Sequence, residues 1–204
     1  MTQELQRVCV KIHAAEHRGI ADEVFVPIFH EWIRDRSLPL VLIDVADYTH
    51  VPDGPGVMLI SHSASFALER SDGRFGLYAQ RRRPARGNAA DAIAETWRDA
   101  LNVAAYLEKD ARVRGMLTFD RENVRIESND RLRAPNSEPA FAALEPFVRA
   151  AVDAVCPGRK STVARVVNDP RERLALEVRI APSTPESPRH GEALIQQSAI
   201  ENLR

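Results

Sequence analysis

Asp44 and His62 are the side chains best placed to act together as an acid–base pair. Each lies in an apolar run, LVLIDVADY over 40–48 and VMLISHSASFAL over 57–68. If the runs pair antiparallel across the intervening loop, Asp44 falls opposite His62 on a face shared with Leu42, Ala46, Ile60 and Ala64. A carboxylate beside an imidazole in an apolar layer orients the ring and favours its charged form. That is the arrangement of a general base. The competing reading is a buried hydrogen-bonded pair that fixes register, and a one-residue slip would put the two on opposite faces.

The loop between the runs, His50-Val51-Pro52-Asp53-Gly54-Pro55-Gly56, is the candidate ligand contact. His50, Asp53, Gly54 and Gly56 are its chemically useful positions. Glycines let backbone approach a ligand, and successive amides can cradle an anion. No Gly-Lys-Ser/Thr follows, so it is not a P-loop, and its prolines equally suit a stiff turn. His50, His62, Asp44 and Asp47 are metal-ligand types. On a hairpin, however, His50 and His62 lie roughly 15–20 Å apart at about 3.3 Å per residue, so no metal site is predicted.

A second polar loop, Asn129 to Asn136, offers Arg131 and Arg133 as ligand contacts, although its residues also suit turns and caps. Ser61, Ser63 and Ser65 alternate without a nucleophile-elbow motif. His13, Glu16 and His17 read as loop residues. Arg81, Arg82, Arg83 and Arg86 form the densest basic run, and such runs usually face water.

The run IDVADYTHVPDGPGVMLISH, with the later LTFDRENVRIESNDRLRAPN, resembles a family of uncharacterised bacterial proteins sharing these two blocks. Together the blocks cover about 40 of the 204 residues. The resemblance implies that the two loops matter and carries no activity. Ser63 departs from the family pattern, in which an acidic residue follows the histidine.

The elements that must position these residues follow from periodicity. RVCVKI alternates as a first strand, with Val8, Val10 and Ile12 on one face, and HAAEHRG then breaks it. A helix is expected over about 22–35, with Val24, Phe25, Ile28, Phe29, Trp32 and Ile33 on its apolar face. The run over 40–48 reads as a central strand covered on both faces, and 57–68 reads as one long strand. Ser71-Asp72-Gly73-Arg74 is a hairpin turn leading back through 75–81. Asn88 caps a helix reaching about 110. Residues 113–119 and 123–128 read as a hairpin about Asp120-Arg121-Glu122. A third helix spans about 138–155, stopped by Pro157-Gly158. A final hairpin joins 162–167 to 174–180.

The expected fold class is α+β, a mostly antiparallel mixed sheet with three main helices, and the first half is compatible with a ferredoxin-like order plus one strand. Residues 1–181 are expected to form one domain with hairpin-rich halves of about 1–110 and 111–181. A Pro-rich linker over 182–192 and a short helix over 193–204 follow.

Composition narrows the function classes. Apolar residues make up 44% of the chain, an ordinary value for a folded domain. The formal net charge of −1 offers no field for nucleic acid or an anionic membrane. The 25 arginines against 3 lysines suggest a GC-rich, bacterial coding sequence. Cys9 and Cys156 form no CxxC pattern, and no apolar run reaches signal or membrane-spanning length, so a cytoplasmic location is expected. No cofactor motif is present. The leading expectation is a domain that binds a small molecule or anion through the HVPDGPG loop. The alternatives are an enzyme with a histidine acid–base, with or without metal, and a homo-oligomeric structural protein that docks through its C-terminal tail.

Overall fold

The computed structural model describes residues 5, 7–52 and 54–182. The expected C-terminal helix, nearly all of the Pro-rich linker and Asp53 lie outside them. Along the chain run β1 (Val8–His17), a single 3-10 turn (Asp22–Val24) and α1 (Phe25–Asp35). Then come β2 (Leu42–Asp47), β3 (Val57–Ser61), β4 (Ala64–Glu69), β5 (Gly76–Arg81) and α2 (Ala89–Lys109). The described elements close with β6 (Leu117–Ser128), α3 (Glu138–Val155), β7 (Ser161–Arg165) and β8 (Ala175–Ile180). The fold is α+β: the eight strands form one antiparallel sheet in the order β2-β3-β4-β5-β1-β6-β8-β7. β2 to β5 run as an uninterrupted meander, longer than a ferredoxin-like order contains.

Alternation decides which way each strand faces. Val10 and Ile12, Leu77 and Ala79, Phe66 and Leu68, Val57 and Leu59, Val124 and Ile126, and Leu176 and Val178 stand side by side across the ladders. They join the inward stripes of the helices in one core. Trp97, Ile93, Val103 and Leu107 of α2 are fully buried there, and each aliphatic of that set contributes about 1.5–3 kcal/mol by leaving water. α2 is well started: the Asn88 side chain accepts from Ala90 and Asp91 amides while Asp91 accepts from the Asn88 amide, a reciprocal cap. Among the described residues, the opposite face of the sheet carries no helix. Its residues are Cys9, Lys11 and His13; Ser65, Ala67 and Glu69; Tyr78 and Gln80; and Asn123, Arg125 and Glu127.

Four expectations are corrected. The apolar run over 40–48 is not a covered central strand: β2 is the sheet edge, with Val41 and Ile43 exposed. The run over 57–68 is not one strand but the β3–β4 hairpin, turned at His62-Ser63. There the Ser61 hydroxyl bonds both the amide and the carbonyl of Ala64, so a serine closes a turn that lacks glycine or proline. HAAEH continues β1 instead of breaking it. The supposed turn at 120–122 is an irregularity within the single strand β6, where β1 bulges between Ile12 and Ala14.

Candidate functional site

The uncovered face of the sheet is recessed because two loops rise beside it. One is the loop joining β2 to β3, which contributes Gly54 and Pro55. The other joins β7 to β8 and contributes Asn168, Glu172 and Arg173. Between them lies a cavity of about 610 Å³ floored by Met58, Ser65, Ala67, Glu69, Tyr78, Gln80, Arg125 and Glu127. Such a volume suits a small molecule.

Lys11 is the centre of its charge arrangement. The side chain is 1% exposed, and its ammonium has three partners: Glu69 Oε1 at 2.6 Å, Asp72 Oδ1 at 2.5 Å and the carbonyl of Arg74 at 2.9 Å. A lysine is hardly ever buried to that degree unless it is paired. Gly76, on the neighbouring strand, makes the room. A Cβ there would stand 2.7 Å from the Ile12 carbonyl oxygen and 3.0 Å from Lys11 Cε. Asp72 also meets His13, with Nε2 2.7 Å from Oδ2. Burial by itself would raise Asp72, but hydrogen bonds from His13 and Lys11 outweigh it and hold the carboxyl well below the usual carboxylate range. The ionised carboxylate therefore accepts from Nε2–H, which fixes the His13 tautomer.

Glu69 is 5% exposed, and its two oxygens differ. Oε2 accepts from the Ser71 amide at 2.6 Å. Oε1 touches the Lys11 ammonium, yet that contact lies outside hydrogen-bond angles, so Oε1 is a buried acceptor without a hydrogen bond. The 2.6 Å contact shows that its charge is balanced by the ammonium.

A second cluster stands further along the same face. The Tyr78 hydroxyl donates to Glu127 at 2.9 Å and accepts from Arg173 at 2.5 Å, and Arg125 donates to Glu127 at 2.7 Å. Burial raises the Tyr78 hydroxyl far above its ordinary value, so it stays protonated. Burial also pushes the Cys9 thiol up to about 12, against a lowering hydrogen bond with Tyr78. The neutral thiol is a poor nucleophile.

The loops are held from below and behind. Gly56 has φ +63°, and a Cβ there would overlap the Leu68 carbonyl oxygen, so the loop end lies flush against β4. Asn136 donates to the Asn168 side chain at 2.7 Å and to the Asp169 carbonyl at 3.0 Å, and it accepts from Arg165 at 2.9 Å. The Asn129–Asn136 loop thus supports the loop that carries Arg173.

The residues singled out by sequence fall in different places. Asp44 and His62 are both exposed and not opposite each other: a bulge after Leu42 sets Asp44 against Ile60, and His62 lies in the β3–β4 turn. His50 is exposed near Asp47, and Gly54 borders the cavity. Arg131 and Arg133 are exposed beside the start of β1, at the other end of the sheet from the Gly54-Pro55 loop, and Arg131 lies near Asp169 of the loop that joins β7 to β8. Sequence reasoning passed over Lys11, set His13 aside as a loop residue, and passed over Glu69, Asp72, Tyr78, Arg125, Glu127 and Arg173. The signal for the first two was present: once Val8, Val10 and Ile12 face the core, Cys9, Lys11 and His13 must share the other face.

Among the described residues, no group of three or more His, Cys, Asp or Glu side chains is arranged to hold a metal ion. No described helix is long and apolar enough to cross a membrane. Comparison with protein-family models, with curated proteins and with solved structures returned no match.

Proposed function

We propose that this chain binds a small polar molecule on the uncovered face of its sheet, between the Gly54-Pro55 loop and the Asn168–Arg173 loop. The observation that carries this reading is the recess itself, about 610 Å³ with Glu69, Tyr78, Gln80, Arg125 and Glu127 on its floor. These side chains offer both donors and acceptors to a polar ligand. Met58, Ala67 and Pro55 supply an apolar side for the rest of the ligand. Ligand-observed NMR with a library of sugars, amino acids and amines tests the reading. Wild-type protein should retain some of these compounds. Ala67→Phe, which fills the floor, should release them while circular dichroism is unchanged. Retention by neither protein, or equally by both, contradicts it.

The His13–Asp72 pair supports a second reading, acid–base catalysis on a substrate that reaches into the adjoining recess, which His13 lines. The sequence suggested an aspartate–histidine pair elsewhere; this one has the required contact. If a retained compound is turned over, His13→Gln should slow turnover by about 10²–10⁴-fold and leave binding intact. Unchanged turnover in that variant removes His13 from the chemistry.

A further inference from the structure

The β2 edge of the sheet exposes large aliphatic side chains. Val41 and Ile43 are 70% and 54% exposed, and β2 has β3 as its one neighbour among the described strands. The bulge after Leu42 leaves Ile43 without a partner on β3. We propose that β2 is the docking edge for a second copy of this chain. The two copies pair β2 with β2, antiparallel, about a two-fold axis through Ile43. The proposal does not depend on what occupies the cavity on the sheet face.

An unpaired strand edge is a template for another strand. Edges that stay alone are commonly blunted by lysine or proline, and residues 40–48 contain neither. Asp44 Oδ1 accepts from the Val45 amide at 2.8 Å. That contact is local and exposed, so exchanging it for a carbonyl of the other copy is close to neutral.

Charge selects a copy of the chain over an unrelated strand. Asp44 and Asp47 are exposed, and among the described residues neither pairs with a lysine or arginine. The cations stand at the other end of β2. The His62 amide donates to the Val41 carbonyl at 2.9 Å, and the Arg82 amide donates to the Ser63 carbonyl at 2.9 Å. The Arg82 guanidinium reaches the Ser61 carbonyl at 3.2 Å, beside Leu42 of β2. His62, Arg82 and Arg83 are exposed, and no carboxylate among the described residues pairs with them. Antiparallel pairing lays the acidic half of each β2 along the basic end of the other copy, so the match is made twice. The axis through Ile43 sets that residue against its own copy and Val41 against Val45. It sets Asp44 against Leu42, whereas an axis through Asp44 would oppose like charges.

Sedimentation equilibrium of the full chain over a concentration series tests the proposal. Wild-type protein should dimerise reversibly, and less tightly as salt is added, because the matched charges are exposed. Ile43→Lys should weaken the dimer by at least about tenfold and leave circular dichroism unchanged. Arg82→Glu should also weaken it, and adding Asp44→Lys to that chain should restore it, because the reversed charges match again. Leu132→Lys with Val167→Lys is the control. Both positions are exposed and apolar, and Val167 follows the strand at the opposite edge. This pair should leave the dimer intact. Wild-type protein that stays monomeric up to about 1 mM overturns the proposal. So does a dimer that survives Ile43→Lys, one that the control weakens equally, or a charge reversal that fails to restore it.

Discussion

Lys11 carries the charge balance of the larger cavity. Removing it leaves Glu69 and Asp72 on one face of the sheet without their shared cation. Breaking a buried pair from one side typically costs about 3–5 kcal/mol. Lys11→Met should lower the free energy of unfolding in urea by that amount. Adding Glu69→Gln to the same chain should recover part of the loss, because one stranded charge is gone. A loss below about 1 kcal/mol would mean that Lys11 reaches water in solution. At this scale the sequence was only half legible. The alternation of RVCVKIH announces that Lys11 and His13 share a face. It does not announce Asp72, because that aspartate sits in a hairpin turn where aspartate is ordinary. The pairing needs β4, β5 and β1 side by side, an arrangement set by contacts some sixty residues apart in the chain.

The elements show where local pattern and tertiary context part. α2 and α3 were readable to within a residue or so from caps and apolar stripes, since both signals are local. The strands were harder. An apolar run of nine residues reads as a buried strand, yet β2 is an edge, and its apolar positions owe their partial cover to α1. The β3–β4 turn was invisible because serine closes it. α2 also carries a testable electrostatic feature. Asp99 lies close to Arg81 and Glu95, and burial, aided by Glu95 against Arg81, raises its carboxyl to about 6. The unfolded value is about 3.9, so the folded protein takes up this proton between about pH 6 and 4. The folded value is the higher one, so this group's contribution grows as pH falls from 7 through that window and is absent above it. Asp99→Asn should therefore raise the thermal midpoint at pH 7 and flatten its dependence between pH 7 and 5. An unchanged pH slope in the variant would show that Asp99 titrates normally.

At the scale of the whole molecule, β1 joins what the sequence divides into halves. It stands between β5 and β6, and α2 packs on both β6 and α3. The cavity is built the same way: Glu69 and Tyr78 come from the first half, Arg125, Glu127 and Arg173 from the second. A fragment of residues 1–110 would expose the β6-facing edge of β1 and the α3-facing side of α2. We expect it to show no cooperative unfolding transition in urea, whereas the full chain shows one. A cooperative fragment would mean that the halves are independent domains. The eight-stranded order was not legible because strand partners are chosen by long-range packing, which periodicity within a segment does not encode.

The proposed small-molecule site is the sheet face beside Lys11 and Glu69. Amide chemical-shift mapping of labelled protein, titrated with the sugar, amino-acid and amine library, tests it most directly. At least one compound should move the amides of Ser65, Ala67, Glu69, Tyr78 and Gln80 together. Shifts confined to the exposed His62 turn or to Arg131 and Arg133, or no shifts with any compound, would contradict it.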